Sequence, residues 1–219
     1  NKIPLLIHGE DTDENIDIFD REKSFIDKYL TEIVSTFPKL KITLEHITTY
    51  DAVQYVNDTV NLGASITPHH LASNRNDMLV GGIRPHLYCL PILKRKKHQE
   101  ALIKVATSGN KKFFLGTDSA PHEIKHKENI CGCAGVFNTI NSIEIITQIF
   151  DQENSLSQLE NFVSKNSASF YKIPFNKKKL ELIKLEDPIL FPDELIEGDL
   201  KIKIYKPNFD INWKVRRGF

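Results

Sequence analysis

Along this chain, short apolar runs of strand length alternate with longer segments in which apolar residues recur at helical spacing. The runs at 3–7, 41–47, 64–68 and 112–116 read as strands, each bounded by polar residues. After the first, Ile16, Phe19, Phe25, Ile26, Tyr29, Leu30 and Ile33 form a mostly helical apolar face. That spacing predicts a helix capped by Thr12 or Asp13, running to about residue 37 and ended by Pro38. A shorter helix is expected from near Tyr50, another over about 97–108 with Gly109 as its stop, and further helical pattern over 138–150 and around 156–165. Between the third strand and about Leu93 the pattern is irregular, and long ordered loops are often functional. From about Ile189 the tail is less regular and ends in the basic residues Lys214, Arg216 and Arg217. Alternating strand and helix is the signature of βα units around a parallel sheet.

The strand ends carry the chemistry. The four runs close on His8, His46, His69 and Asp118. In a parallel α/β barrel the C-terminal strand ends gather on one face, so residues far apart in sequence share one site. Imidazole and carboxylate are suitable zinc ligands, and the arrangement points to a metal-assisted hydrolase. A lone histidine near a strand is more often hydrogen-bonded filler than ligand, but the conjunction favours His8, His46 and Asp118. His69 and His70 are weaker candidates, because adjacent strand residues face opposite ways and at most one looks into the site. His86, His98 and His126 are taken as surface or loop residues. Four βα units stand where a closed barrel has eight, so half a barrel is expected, with residue 1 not the natural N-terminus.

Composition narrows the partner. Lys plus Arg and Asp plus Glu both number 29 among 219 residues, which argues against nucleic acid or an anionic membrane and for a small molecule. No apolar stretch approaches the roughly 20 residues needed to cross a bilayer. Three cysteines make no disulfide framework, and a reducing cytoplasm fits them. Asp11, Asp13 and Glu14 lack the spacing of a calcium loop and read as a solvated helix start. Cys131 and Cys133 lack the second pair of a structural zinc site, and Lys94, Arg95, Lys96 and Lys97 read as an ordinary solvated face.

Several longer segments are also present: Leu6-Ile7-His8-Gly9-Glu10, Asp17-Ile18-Phe19-Asp20-Arg21-Glu22, Glu45-His46-Ile47-Thr48-Thr49, Asn74-Arg75-Asn76 and Arg84-Pro85-His86-Leu87-Tyr88-Cys89-Leu90-Pro91-Ile92-Leu93-Lys94. They are followed by Gly116-Thr117-Asp118-Ser119-Ala120-Pro121-His122 and Cys131-Gly132-Cys133-Ala134-Gly135. In this order they closely resemble the bacterial single-function dihydroorotases of the amidohydrolase superfamily, from about Ile3 to Pro174.

The resemblance implies an α/β fold, the C-terminal half of a (β/α)8 TIM barrel with strands five to eight, C-terminal helices and a tail. It divides the chain into a barrel part, 1–175, and an extension packed on it, 176–219. His8 and His46 match the strand-five and strand-six metal ligands. Asp118 matches the strand-eight ligand that also serves as general base and passes a proton to the leaving ring nitrogen. Leu90 matches the position whose backbone meets the substrate ring, His122 and Ala134 match residues binding the substrate carboxylate, and His8 also contacts substrate. The implied activity is zinc-dependent interconversion of (S)-dihydroorotate and N-carbamoyl-L-aspartate, a step of pyrimidine synthesis, with two Zn²⁺ per complete site. The family's strand-one His-x-His pair, its substrate-gripping arginine and asparagine, its carbamylated bridging lysine and its lid loop all precede His8 and are not in this sequence. Lys2 lies too near His8 to be the bridging lysine. The expectation is therefore an N-terminal half supplied in the same chain or as a separate one, and a homodimer. The rival expectation is a non-catalytic barrel remnant acting as a structural partner of another pyrimidine-pathway enzyme; a hydantoin-type substrate is a third.

Overall fold

A computed structural model describes residues 3–216. Lys2 and Arg217, both considered above, lie outside the described residues. Four parallel strands, β1 (Leu5–His8), β2 (Ile42–Glu45), β3 (Leu62–Ile66) and β4 (Phe113–Leu115), form one sheet in sequential order. This is the order of consecutive units in a βα barrel. Helices cross between them: α1 over residues 21–36, α2 (Tyr50–Asp58), then the short α3 (Pro68–Ala72) and α4 (Arg75–Leu79) followed by α5 (Lys96–Thr107). Beyond β4 come α6 (Ile124–Lys127), α7 (Ser142–Gln152) and α8 over residues 159–171.

The two faces of the sheet differ as strand alternation requires. Ile42, Leu44, Leu62, Ala64 and Ile66 are buried in the core with Leu30, Val53, Leu102 and Ile146. Leu44 packs so closely below Gly9 that a Cβ there would lie 2.5 Å from its Cδ1. On the inner face, Thr43 Oγ1 meets Tyr171 Oη at 2.7 Å, Ser65 Oγ donates to Glu45, and Phe114 packs against Phe170 and Tyr171. The end of α8 therefore plugs the N-terminal end of the sheet. At the β1 edge, Leu6 is 53% exposed, so the described chain does not cover that side.

Helix α1 begins at Arg21, not near Thr12, because local carboxylates hold residues 11–20 in turns. Asp11 accepts from Asp13 N–H, Asp13 from Asn15 N–H and Asp17 from Phe19 N–H. Asp11 is not solvated as expected. It is buried, bonded to Lys28 and Ser24, and the Lys28 ammonium foremost holds its carboxyl down at about 2. A π turn at Ile26–Leu30 then shifts the helical register, leaving Ile26 and Leu30 buried but Tyr29 46% exposed. The stretch taken as irregular contains α3, α4 and a 3-10 turn at Pro85–Leu87. Lys94 departs from the solvated basic face: it is buried, with Glu22 nearby.

The tail forms two small antiparallel pairs, β5 (Glu181–Lys184) with β8 (Trp213–Arg216) and β6 (Glu194–Glu197) with β7 (Leu200–Lys203). Between them Tyr205 enters the core, its hydroxyl 2.6 Å from Ser73 Oγ, while Asn141 Nδ2 donates to its carbonyl. Lys112 secures the end of α2, its ammonium donating to the carbonyls of Val56, Asn57 and Thr59 at 2.8–2.9 Å. Lys112→Met is expected to cost about 1–2 kcal/mol by orphaning those carbonyls, read as a lower urea midpoint at unchanged slope.

Candidate active site

His8 is the last residue of β1, and His46 directly follows β2. Their rings meet edge to face, with His8 Nδ1 and His46 Nε2 3.2 Å apart. His46 adopts φ +40° at the strand end; its N–H donates to Ser65 Oγ and the following Ile47 N–H to Ser65 O, so β3 fixes this turn. The other nitrogen of His46, Nδ1, is buried without a partner. Burial, with the His8 ring beside it, lowers the His46 imidazole to about 4, so it is neutral at pH 7 and keeps a lone pair. On its far side His8 Nε2 meets Glu10 Oε2 at 3.0 Å, two residues along the same strand exit.

Asp118 stands just past β4, also at positive φ, +41°. It is solvent-accessible, yet protein packed around the carboxylate raises its pKa above the ordinary value, an effect the His8 ring opposes. Behind it lies Asn138, which is fully buried; its Nδ2 donates to Thr117 O and to His69 Nδ1, and its N–H donates to Ser119 Oγ. His122 and Ala134 come together: His122 Nε2 donates to Ala134 O at 3.0 Å. Gly135, at φ +148°, leaves room for this contact, since a Cβ there would lie 2.9 Å from His122 Cδ2. Leu90 lies on the neighbouring loop, joined to this one by the Gly135 N–H bond to Tyr88 O.

His69 and His70 are on α3 rather than a strand, so the alternation argument does not apply to them; both are buried. With Cys89 they form a group whose potential ligand atoms lie within 4.8 Å of one another. Of its ligand atoms only His69 Nε2 is without a hydrogen-bond partner, so the group does not offer a metal three free ligands. His70 Nε2 donates to Pro91 O while Nδ1 faces Thr67 Oγ1, and His69 Nδ1 accepts from Asn138. Burial pushes the Cys89 thiol up to about 12, and its Sγ–H donates to Pro91 O. Cys89, Cys131 and Cys133 are all free thiols in this structure. His98 is not a plain surface residue: its Nδ1 accepts from the first N–H of α2, at Tyr50. A groove of about 790 Å³ lined by Met78, Ile83, Tyr88 and Ile130 contains none of the six candidate residues.

Three supporting groups escape sequence reasoning. Glu10 follows His8 by two residues just past β1, and that spacing, which returns a side chain to the same side of an extended chain, is the available signal. Asn138, bonded to His69 and Thr117, and Lys127, whose ammonium donates to the carbonyls of Tyr88, Cys133 and Gly135, join separate loops, where no periodic signal reaches.

Comparison with known proteins gives a consistent result. No protein-family model matches the chain. A dihydroorotase of Acinetobacter baylyi is 56% identical over 217 residues, covering 98% of this chain and 62% of that protein. A dihydroorotase of Idiomarina loihiensis is 50% identical over 217 residues, covering 99% and 62%. Among solved structures, dihydroorotase of Campylobacter jejuni superposes with TM-score 0.86 at 35% identity, over 98% of this chain and 61% of that one. Dihydroorotase of Saccharomyces cerevisiae, in complex with 5-fluoroorotic acid, gives TM-score 0.86 at 31% identity over 98% and 63%. A D-hydantoinase from Thermus, 12% identical at TM-score 0.66 over 89% and 46%, shares the fold alone. The chain thus spans about 62% of the length of the curated relatives it matches.

Proposed function

This chain is homologous to dihydroorotases along nearly all of its own length, and from that premise we propose that it forms the C-terminal part of a dihydroorotase site, interconverting (S)-dihydroorotate and N-carbamoyl-L-aspartate in pyrimidine synthesis. The observation that carries the reading is the His8–His46 pair. Two nitrogens bound to one tetrahedral zinc at about 2.0–2.1 Å lie roughly 3.3–3.4 Å apart, and His8 Nδ1 and His46 Nε2 are separated by 3.2 Å. The donor set therefore fits a divalent metal, and zinc, two ions per complete site, is the proposed occupant. Glu10 then serves as the carboxylate that orients His8 through its remote nitrogen.

When bound, the metal supplies Lewis acidity, polarising the ring amide and making an attacking water more acidic. The chain's own groups do the rest. Asp118 takes the proton of the attacking water and delivers it to the ring nitrogen that leaves. The backbone of Leu90 meets the ring, and His122 with the Ala134 N–H holds the carboxylate, a ligand suited to N–H donors. His122→Ala is expected to raise KM for dihydroorotate about tenfold or more with a smaller change in kcat, measured by steady-state kinetics. An unchanged KM would count against its carboxylate role.

The remaining ligands and the bridging lysine are proposed to come from an upstream segment, in the same chain or a separate one, in a homodimer. No helix among the described residues is long and apolar enough to cross a membrane; a cytoplasmic location is proposed, in keeping with three free thiols. The test is dihydroorotate hydrolysis by the complete protein before and after dialysis against a chelator. Loss of turnover with recovery on zinc addition supports the reading. Turnover of a hydantoin in preference to dihydroorotate overturns the substrate, and failure to hold metal supports the non-catalytic remnant instead.

A further inference from the structure

Lys127 is 3% exposed, and among the described residues no carboxylate pairs with it. Its ammonium instead donates to three backbone carbonyls, Tyr88 O at 2.8 Å and Cys133 O and Gly135 O at 2.7 Å. Three donors meet three acceptors, so the buried cation is fully satisfied without a counter-ion. Burial draws it down to about 8, and it stays mostly protonated at neutral pH.

The acceptors are placed in a particular way. Tyr88 lies two residues before Leu90, while Cys133 and Gly135 flank Ala134. The same carbonyl of Tyr88 also takes the Gly135 N–H at 2.9 Å, and Cys133 N–H donates to His126 O at 3.1 Å. The bonds thus engage the neighbours of Leu90 and Ala134 and not those two residues. Among the described residues neither the Leu90 nor the Ala134 N–H finds a protein acceptor. His122, five residues before Lys127, bonds the Ala134 carbonyl, so one short segment grips both sides of the loop.

We propose that Lys127 is a positioning residue, a three-carbonyl clamp that sets the spacing between the Leu90 and Ala134 backbones and thereby the affinity for a cyclic amide carrying a carboxylate. This rests on the dihydroorotase reading for the identity of the ligand. The clamp itself rests on the hydrogen bonds above. Lysine suits the task because its three rotatable donors reach carbonyls in three directions, whereas the planar fork of arginine does not.

The experiment compares wild type, Lys127→Met and Lys127→Arg in the complete, metal-loaded protein. Steady-state kinetics with dihydroorotate and amide hydrogen exchange over residues 86–93 and 130–136 are measured on each. Lys127→Met is expected to raise KM at least about tenfold, the equivalent of one or two net hydrogen bonds, with kcat changed much less and metal content unchanged. Exchange in both segments should quicken together. If the methionine variant does not fold, the arginine variant, which keeps charge and stem, decides by the same readouts with a smaller expected shift. Faster exchange with unchanged KM would reduce Lys127 to a structural tie and overturn the proposal, as would unchanged exchange in either segment. A wild-type protein that binds metal but does not turn over dihydroorotate overturns the functional reading instead, and the exchange data still report whether the two loops are tied.

Discussion

Asp118→Ala is expected to lower kcat for dihydroorotate by about 10³-fold or more, since general-base catalysis alone is worth roughly 10²–10⁴ and the same carboxylate is a proposed metal ligand. The fold should tolerate the change. Asp118 is solvent-accessible, and its turn is held by other groups, Asn138 on Thr117 O and the Ser119 Oγ bonds to the N–H groups of Asn138 and Thr139. A thermal midpoint near the wild-type value would therefore accompany the loss of activity. Near-normal hydrolysis by this variant would sink the assignment. His46→Ala should also abolish turnover, but with loss of bound metal, and the two variants are told apart by metal analysis.

The largest effect on stability is expected at Glu22. Its carboxylate is 1% exposed and accepts four hydrogen bonds: Thr48 N–H at 2.8 Å and hydroxyl at 2.9 Å on one oxygen, Thr49 N–H at 2.8 Å and hydroxyl at 2.5 Å on the other. Burial pushes its pKa up, against the pull of Lys94 and the threonine donors. Glu22→Ala orphans two backbone N–H groups and leaves the buried Lys94 without its nearby carboxylate. The expected loss is about 3–5 kcal/mol, the range for breaking one side of a buried charged network. In a chain of this size that corresponds to a fall in Tm of roughly 10 °C, measured by calorimetry or circular dichroism. Because Thr48 begins two residues after His46, metal affinity should fall with it. A midpoint within a degree of wild type would show that water replaces the carboxylate and that the four bonds contribute little.

Much of the architecture was legible in the chain. The apolar runs before His8, His46 and Asp118 are strands, and α2 and α5 begin within a residue of expectation. The start of α1 was not legible, because Asp11, Asp13 and Asp17 compete for backbone N–H groups that an amphipathic pattern assigns to a helix. Strand alternation at His69 and His70 fails because Thr67 caps a short helix there. One lysine departs from its sequence reading. Lys94 stands in a basic run, where a solvated side chain is the ordinary outcome, yet it is buried with Glu22 nearby.

The sequence by itself determined the alternation of strand and helix, the residues at the strand ends and the chemical types available there, because hydrophobic period and turn chemistry are local properties. Only the tertiary structure decided which of those residues meet. Parallel pairing of β1 with β2 sets His8 opposite Glu45 and so brings its ring to His46, 38 positions away. The pairing of the Leu90 and Ala134 loops through Lys127, and the grip of Glu22 on Thr48 and Thr49, likewise depend on the directions in which buried donors and acceptors are satisfied. Such bonds join segments with no periodic relation, and it is the desolvation of their polar groups in the packed chain that makes each of them necessary.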